Sequence, residues 1–590
     1  MDGICYVKKE FLIATEARSN ASESNSNAPE LPDTTKSCDN VNQNESVDGS
    51  EKRKCSELEE GQEPKRKKYD KKNRGQNKGR HQNRFHHIKE DNLCKSLFNG
   101  SDNATKCAYE KCKFIHDIHK YMENKPADVA GTCYIYSTKG FCERGLTCRF
   151  SGSHLDENLN NLKAEFYNPN AGNDTKNQIS YDLQVTLRKR NYNFDLSKKI
   201  LAEIDAEKKQ KKESPEEKPM GFVPDTDVIK ERVDEKRSIN FREKLFLSPL
   251  TTVGNLPFRR ICKEFGADVT CGEMACAVPI CNGLSQEWAL TKRHSSEDLF
   301  GVQLCANNPQ LLTFACQLLK ENAEVDFIDL NLGCPIELIY GQGAGSALIR
   351  RPNVLEIMVR SCSRLLGETP FTVKTRTGVY ANKSVAHELV PKFEEWGTSC
   401  ITIHGRSKEQ RYTKRADWEY IEECASKATK VPVIGNGDIL NFEDYNASRA
   451  AAPSLSGVMI GRGGLIKPWL FKEIKEQKHW DPSSSERFDI IKKYVNYGLE
   501  HWGSDTKGIE NTRRFFLEWQ SFLYRYVPFG LLERPPQRIN ERPDAYHGRD
   551  DLETLMASGK CSDWIKLSEM LLGPVPDGFT FLPKHKANSF

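Results

Sequence analysis

Asp326-Phe327-Ile328-Asp329-Leu330-Asn331 runs directly into Leu332-Gly333-Cys334-Pro335, and the reading of the fold starts from this stretch. The first part is a short, mostly apolar run bounded by turn residues, the pattern of a buried strand. It ends on a cysteine and enters the glycine-rich Gly341-Gln342-Gly343-Ala344-Gly345. A rigid strand followed by a pliable loop suits a reactive group on a fixed base with a lid above it. A lone cysteine in a reduced protein is ordinarily an inert buried thiol, so its neighbours must decide.

Strand-length runs recur on both sides: 245–250, 268–271, 300–304, 371–376, 400–404, 431–435 and 457–461. With room for a helix between successive runs, they predict parallel strands joined by crossovers. With the run at 327–331 they make eight, which predicts an α/β fold, a (β/α)8 TIM barrel over residues 241–480. Polar or reactive residues stand at the C-terminal ends: Gln303, Asn331 with Cys334, Lys374 with Arg376, His404 with Arg406, Asn436-Gly437-Asp438, and Gly461-Arg462-Gly463-Gly464. In this fold that rim carries the active site, and the ends of strands seven and eight commonly hold a phosphate on backbone N–H groups.

The chain has 590 residues, 37% hydrophobic and 29% charged, with a net charge of +4. That near-neutral total hides eleven Lys or Arg against the single acid Asp70 between Pro64 and Lys89, a run that suits nucleic acid or a nuclear address. Residues 16–90 are poor in apolar side chains and are expected to be disordered, so residues 1–90 form a basic N-terminal region. No run reaches the ~18 apolar residues of a membrane span, and Lys8, Lys9 and Glu10 spoil a secretory signal. Twenty cysteines without such a signal point to thiols and metal ligands rather than a disulfide framework.

Cys94, Cys107, Cys112 and His116 form one quartet and Cys133, Cys142, Cys148 and His154 a second. Three thiolates and an imidazole make a closed tetrahedral shell for structural zinc. Segments this short have no core of their own, so metal must supply the folding energy, and its loss is expected to unfold this segment alone. The quartets, at 91–120 and 127–157, resemble the CCCH zinc fingers that bind RNA. Lys113-Phe114 and Arg149-Phe150, just after each third cysteine, are then expected to stack on and neutralise nucleotides. Residues 158–240 are expected to be a linker, with the mixed acid and base run at 208–218 either linker or exposed helix. Beyond the barrel, residues 481–590 are expected to be helical, with a capping box at Ser483-Ser484-Ser485-Glu486 and helical spacing over 512–526 and 552–572. Arg513, Arg514, Arg525, Arg534, Arg538, Arg542 and Arg549 give that domain a basic tendency.

Ser248-Pro249-Leu250-Thr251, Asn331-Leu332-Gly333-Cys334-Pro335, Val373-Lys374-Thr375-Arg376, Ile403-His404-Gly405-Arg406, Gly435-Asn436-Gly437-Asp438 and Ile460-Gly461-Arg462-Gly463 together resemble the motif series of the tRNA-dihydrouridine synthases. The resemblance runs from about Phe241 to the C-terminus, and two CCCH fingers joined to the barrel resemble the eukaryotic enzymes that act at position 47 of the variable loop. It implies FMN across the barrel mouth, with Pro249, Leu250 and Thr251 against the isoalloxazine and Gln303 and Asn331 on its pyrimidine edge. Lys374 would face the N1 side, His404 would be a further contact, and Asn436, Gly437, Asp438, Gly461 and Arg462 would hold the ribityl chain and phosphate. It also implies NADPH or NADH as reductant, tRNA as substrate, and a helical domain that recruits tRNA.

Reducing the C5–C6 bond of uracil needs hydride at C6 and a proton at C5. Cys334 fits as proton donor, since a thiol of pKa ~8.5 is mostly protonated at neutral pH. Arg376 and Arg406 are then candidates for RNA phosphate or the extruded base. Two other readings compete: a barrel flavoenzyme acting on a free pyrimidine, and an RNA-binding CCCH regulator with an inert barrel. The oligomeric state stays open, with a monomer expected. Nuclear or cytoplasmic residence, NADPH or NADH, and mRNA as a further substrate stay open.

Overall fold

The structure, a computed structural model, describes residues 6–13, 91–100, 102, 104–170, 172–213, 239–410, 414–533 and 543–584. The cluster Lys65-Arg66-Lys67-Lys68 and the arginines Arg534, Arg538 and Arg542 lie outside them.

All eight expected runs are strands: β1 (Lys244–Leu247), β2 (Val269–Cys271), β3 (Leu299–Cys305), β4 (Phe327–Asn331), β5 (Phe371–Arg376), β6 (Cys400–His404), β7 (Val433–Asn436) and β8 (Gly457–Ile460). Each pairs in parallel with its chain neighbours, and β8 returns to β1, so the ladder closes into a barrel. A short strand, Ala275–Cys276, adds to the edge of β3. Because side chains fill the barrel and helices cover it, the strands are buried on both faces and read as near-continuous apolar runs. Phe246, Phe327, Cys400, Ile434 and Met459 fill the lower interior with Phe241, whose ring meets that of Phe327 edge-on at 5.7 Å. At Gly301 on β3 a Cβ would lie 2.2 Å from the Phe327 ring, so that aromatic occupies the space a side chain would take. Outside the barrel, helices Pro309–Asn322 and Pro352–Leu366 bury Leu312, Leu319, Met358 and Leu365.

The expected linker at 158–240 is corrected over its described part. Helices Tyr181–Arg188 and Asp195–Glu213 lie on the barrel, with Leu187, Ile200 and Ile204 buried in its core. Phe194 stacks on Phe314 at 4.1 Å, and Ser197 Oγ donates to Gln317 Oε1 at 2.6 Å. The longer helix is so rich in Lys and Glu on its outer face that the apolar pair four residues apart is easily overlooked. Strand Thr175–Lys176 pairs antiparallel with Arg293–His294. Part of the N-terminal region is likewise ordered: Val7 is buried, Lys8 N donates to Leu531 O and Ile13 N to Ala545 O, which sews residues 6–13 to the helical domain.

That domain contains helices Ser484–Trp502 and Thr506–Leu523, the first opened by the expected capping box. The helix expected over 552–572 is split into Asp551–Ala557 and Cys561–Leu572, because Ser558 accepts from Trp564 Nε1 and donates to Asp563. Its basic face is smaller than expected. Arg513 is buried and donates to Ser568 Oγ and to the carbonyls of Leu572 and Gly573, Arg525 is buried, and Arg549 pairs with Asp481 and Glu553. Among the described residues, no helix is long and apolar enough to cross a membrane.

Candidate active site and metal centres

The inward positions of the upper barrel form a chain of polar contacts. Asn331 Nδ2 donates to Gln303 Oε1 at 2.7 Å, Gln303 Nε2 to Asp329 Oδ2 at 2.8 Å, and Thr372 Oγ1 to the other Asp329 oxygen at 2.7 Å. Lys374, on β5 with Thr372, donates its Nζ at 3.1 Å to Oδ1 of Asn436 two strands on, and Asn436 Nδ2 donates to Met459 O at 2.7 Å. Alternation along a strand explains the set, since Asp329 and Asn331, or Thr372 and Lys374, are two residues apart and share the inner face. Asp329 was not singled out from the sequence. The one signal there is an acid in the middle of the apolar run Phe327–Leu330.

Asn331 also shapes the loop beyond it. Its Oδ1 accepts from the backbone N–H groups of Gly333 and Cys334, at 3.2 and 2.9 Å, and turns the chain at the strand end. Ser346 returns to donate its hydroxyl to Cys334 O at 2.9 Å, closing the loop at its base. The glycine-rich segment lies between a short helix, Glu337–Gly341, and a 3-10 turn, Gly345–Arg350. Cys334 is buried at 8% exposure.

Burial sets the charges here. It raises the Cys334 pKa above the ordinary thiol value, against a lowering by the Ile336 backbone and Arg376, so the thiol is protonated at neutral pH. It lowers the Lys374 pKa to about 8, helped by Arg376 and opposed by Asp329. It raises Asp329, opposed by the hydrogen bonds from Gln303 and Thr372 and by Lys374. His404 is driven well below its usual value by burial and then by Arg376, Lys374, Arg406 and Arg462. The imidazole is therefore neutral, and because Arg406 Nη1 lies 3.4 Å from Nε2 and can only donate, the ring proton is assigned to Nδ1.

The expected RNA contacts Arg376 and Arg406 are corrected. Arg376 donates to Gly333 O at 2.6 Å and to Ser407 O at 3.0 Å, bracing the Cys334 loop. Arg406, fully buried, donates to Lys414 O and pairs with Asp438. Asp438 also receives Arg462 at 2.9 Å and the Ala416 N–H at 2.8 Å, so its carboxylate spans the loops after β6, β7 and β8. Pro249, Leu250 and Thr251 follow β1. A Cβ at Gly461 would stand 3.8 Å from Ser248 Cβ and 3.9 Å from Leu250 Cδ2, which places the ends of β1 and β8 side by side at the mouth. Gly437, at φ +143°, would drive a Cβ to 2.4 Å from Ala416 Cβ.

Both cysteine and histidine quartets assemble, with ligand atoms all within 4.8 Å of one another. Cys94 Sγ is 3.8 Å from Cys107 Sγ and 3.9 Å from Cys112 Sγ, and Cys148 Sγ is 3.8 Å from Cys133 Sγ. A tetrahedron with Zn–S bonds of ~2.3 Å has edges of about 3.8 Å, so the donors fit zinc. His154 Nδ1 meets Asn161 Oδ1 at 2.9 Å while its buried Nε2 has no hydrogen-bond partner, which leaves Nε2 for a metal.

The two fingers present different faces. In the first, Phe114 is 40% and Tyr109 74% exposed. In the second, the expected RNA-facing pair is corrected: Arg149 and Phe150 are buried, and Arg149 donates twice to Ala127 O. The second finger is also no separate unit. Cys133, Cys142, Cys148 and Phe150 share a core with Tyr494 and Trp519, and Arg149 N donates to Ser504 O at 2.9 Å.

Residues 246–522 match the family described as dihydrouridine synthase (Dus). Relatives from several eukaryotes carry the description tRNA-dihydrouridine(47) synthase [NAD(P)(+)]-like. The protein of Xenopus tropicalis is 51% identical over 523 residues, covering 85% of this chain and 81% of that one. That of Homo sapiens is 50% identical over 543 residues, covering 85% and 83%, and that of Arabidopsis thaliana 41% identical over 594 residues, covering 85% of each. With identity this high over most of both chains, and with the family's motifs gathered at one barrel mouth, this chain belongs to the tRNA-dihydrouridine synthase family of enzymes.

Proposed function

We propose that this protein reduces the C5–C6 double bond of a uridine in tRNA to 5,6-dihydrouridine, at position 47 of the variable loop, with FMN as the bound flavin and NADPH or NADH as reductant. The observation that carries the reading is the pairing of a protonated thiol with a half-buried cation on neighbouring strands: Cys334 follows β4, whose Asn331 is the register partner of Lys374 on β5. The relatives' descriptions support the substrate, its position and the nicotinamide nucleotide.

The residues present fit FMN. Lys374 at the mouth suits the electron-rich side of a flavin, and the open side of Gly461, beside Ser248 and Leu250, leaves room at the β1 and β8 ends. Gln303 and Asn331 would take the pyrimidine edge, Pro249, Leu250 and Thr251 the ring, and Asn436, Gly437, Gly461 and Arg462 the ribityl phosphate. Asp438 would act through Arg462, which it holds at 2.9 Å. When bound, FMN charged by the nicotinamide nucleotide supplies the hydride for C6.

The protein's own residues do the rest. Cys334 holds the proton that C5 takes and recovers it from solvent after each turnover. Lys374, positive below about pH 8, stabilises negative charge that develops beside it. Neutral His404, with the proton on Nδ1, is a donor rather than a cation. Arg376 keeps the Cys334 loop in place through Gly333 O. The two quartets would hold structural zinc, and the first finger, with Tyr109, Lys113 and Phe114 exposed, would be the one that touches RNA.

The test is a site-by-site map of dihydrouridine in total tRNA from cells with and without the protein, paired with the visible spectrum of the purified chain. Loss at position 47 and a flavin spectrum are expected. Loss at another position would replace the target, and a colourless protein that leaves every dihydrouridine in place would overturn the activity.

A further inference from the structure

The loop after Cys334 is held from several sides, yet its outer surface is apolar. Ile339 faces inward, since a Cβ at Gly345 would meet both Ile339 Cγ2 and Cys334 Cβ at 3.1 Å. Its neighbour Leu338 points out at 70% exposure, and Ile336, two residues from the catalytic thiol, is 44% exposed. Such side chains on a short surface helix contribute nothing to this chain's own core. They stand among cations and aromatic rings of the same segment and of the loops after β5 and β6. Lys408 Nζ lies 4.0 Å from the Tyr340 ring centre, and the Arg350 guanidinium 5.7 Å from that of Tyr380, itself 40% exposed. Two acids share this patch: Glu337, which pairs with Lys408 at 2.9 Å, and Glu409, which accepts from Ala381 N at 3.0 Å.

A uridine inside folded RNA cannot reach the barrel mouth while stacked, and extruding it leaves a gap between its neighbours. Proteins that unstack nucleic acid commonly fill such a gap with an apolar side chain and hold the flanking backbone with cations. We propose that Leu338, with Ile336 beside it, is the wedge that enters the base stack as the target uridine leaves it, while Arg350 and Lys408 hold the phosphates on either side. This rests on the RNA substrate proposed above. Charge decides the occupant, because a rim of Lys and Arg around exposed aliphatic groups complements a polyanion with apolar base faces rather than an apolar peptide.

The test uses the full-length protein and an unmodified tRNA transcript. Leu338→Ala is expected to melt with wild type yet lose at least about tenfold in kcat/KM for dihydrouridine formation, the equivalent of part of one unstacking step, and Leu338→Met is expected to restore most of it. Arg350→Ala and Lys408→Ala are expected to weaken tRNA binding, each lowering the slope of log affinity against log salt by about 1. The binding arm needs no turnover, so it stands even if wild type reduces no uridine, an outcome that would sink the proposed activity instead. Undiminished kcat/KM in Leu338→Ala, or loss of a self-associated form of this chain with tRNA turnover intact, overturns the wedge. An unchanged salt slope in both cation variants overturns the phosphate contacts.

Discussion

Lys374 Nζ donates to Asn436 Oδ1 at 3.1 Å, joining β5 to β7 across the barrel mouth with β6 between them. The contact satisfies one proton of a half-buried ammonium with a neutral partner, while Asp329 is the carboxylate that acts on its charge.

Lys374 and Cys334 are expected to set the pH profile of turnover. Burial lowers the Lys374 pKa to about 8, so the cation is present below that value and lost above it. The Cys334 pKa is moved the other way, above the ordinary thiol range, so the proposed proton donor stays loaded through the same window. The expected kcat/KM is flat on the acid side and falls as pH rises through about 8. In Lys374→Arg, whose guanidinium stays charged, whatever activity survives should keep a flat profile past that point. An alkaline limb unmoved by this change would assign it to another group.

Removing the thiol separates chemistry from binding. Cys334→Ala deletes only the sulfur, so the flavin spectrum and melting temperature are expected to match wild type, while dihydrouridine formation falls by about 10² to 10⁴, the usual worth of a positioned acid. Cys334→Ser should be nearly as slow, because an aliphatic hydroxyl parts with its proton far less readily. Single-turnover mixing of the reduced protein with tRNA gives the rate directly.

Gly301→Ala tests the barrel core. With the new Cβ 2.2 Å from the Phe327 ring, the variant is expected to lose about 1–3 kcal/mol in urea unfolding, the common range for overpacking. Phe327→Leu in the same chain should recover part of the loss, a coupling read from the double-mutant cycle.

Zinc should matter beyond its own loops. Elemental analysis is expected to give two ions per chain, matching the two quartets, and one in His154→Ala. Because the second quartet shares a core with Tyr494 and Trp519, that variant should also lower the calorimetric transition of the helical domain. Asn161→Ala, which removes the partner of His154 Nδ1, should weaken the second site by about 10–100-fold. A helical transition indifferent to the metal would restore the picture of an independent finger.

The sequence by itself determined the periodic features. Eight apolar runs spaced for crossovers led to the closed barrel, and the polar residues at their C-terminal ends led to the mouth, because strand alternation and chain direction are local properties. The quartet spacings likewise brought both sets of ligands together. Only the tertiary structure decided which charged groups face inward. Arg376, Arg406, Arg149 and Arg513 read as nucleic-acid contacts, yet each spends its donors on buried carbonyls, hydroxyls or carboxylates, and an arginine looks the same in a sequence whether it meets water or a buried oxygen. Asp329 went unnoticed for the same reason, since its role depends on Gln303 and Thr372, 26 and 43 residues away. Residues 175–213, set apart as linker on composition, became barrel cladding once Ile200 and Ile204 found an apolar surface. Composition records how polar a segment is on average, whereas burial depends on which of its faces finds a partner.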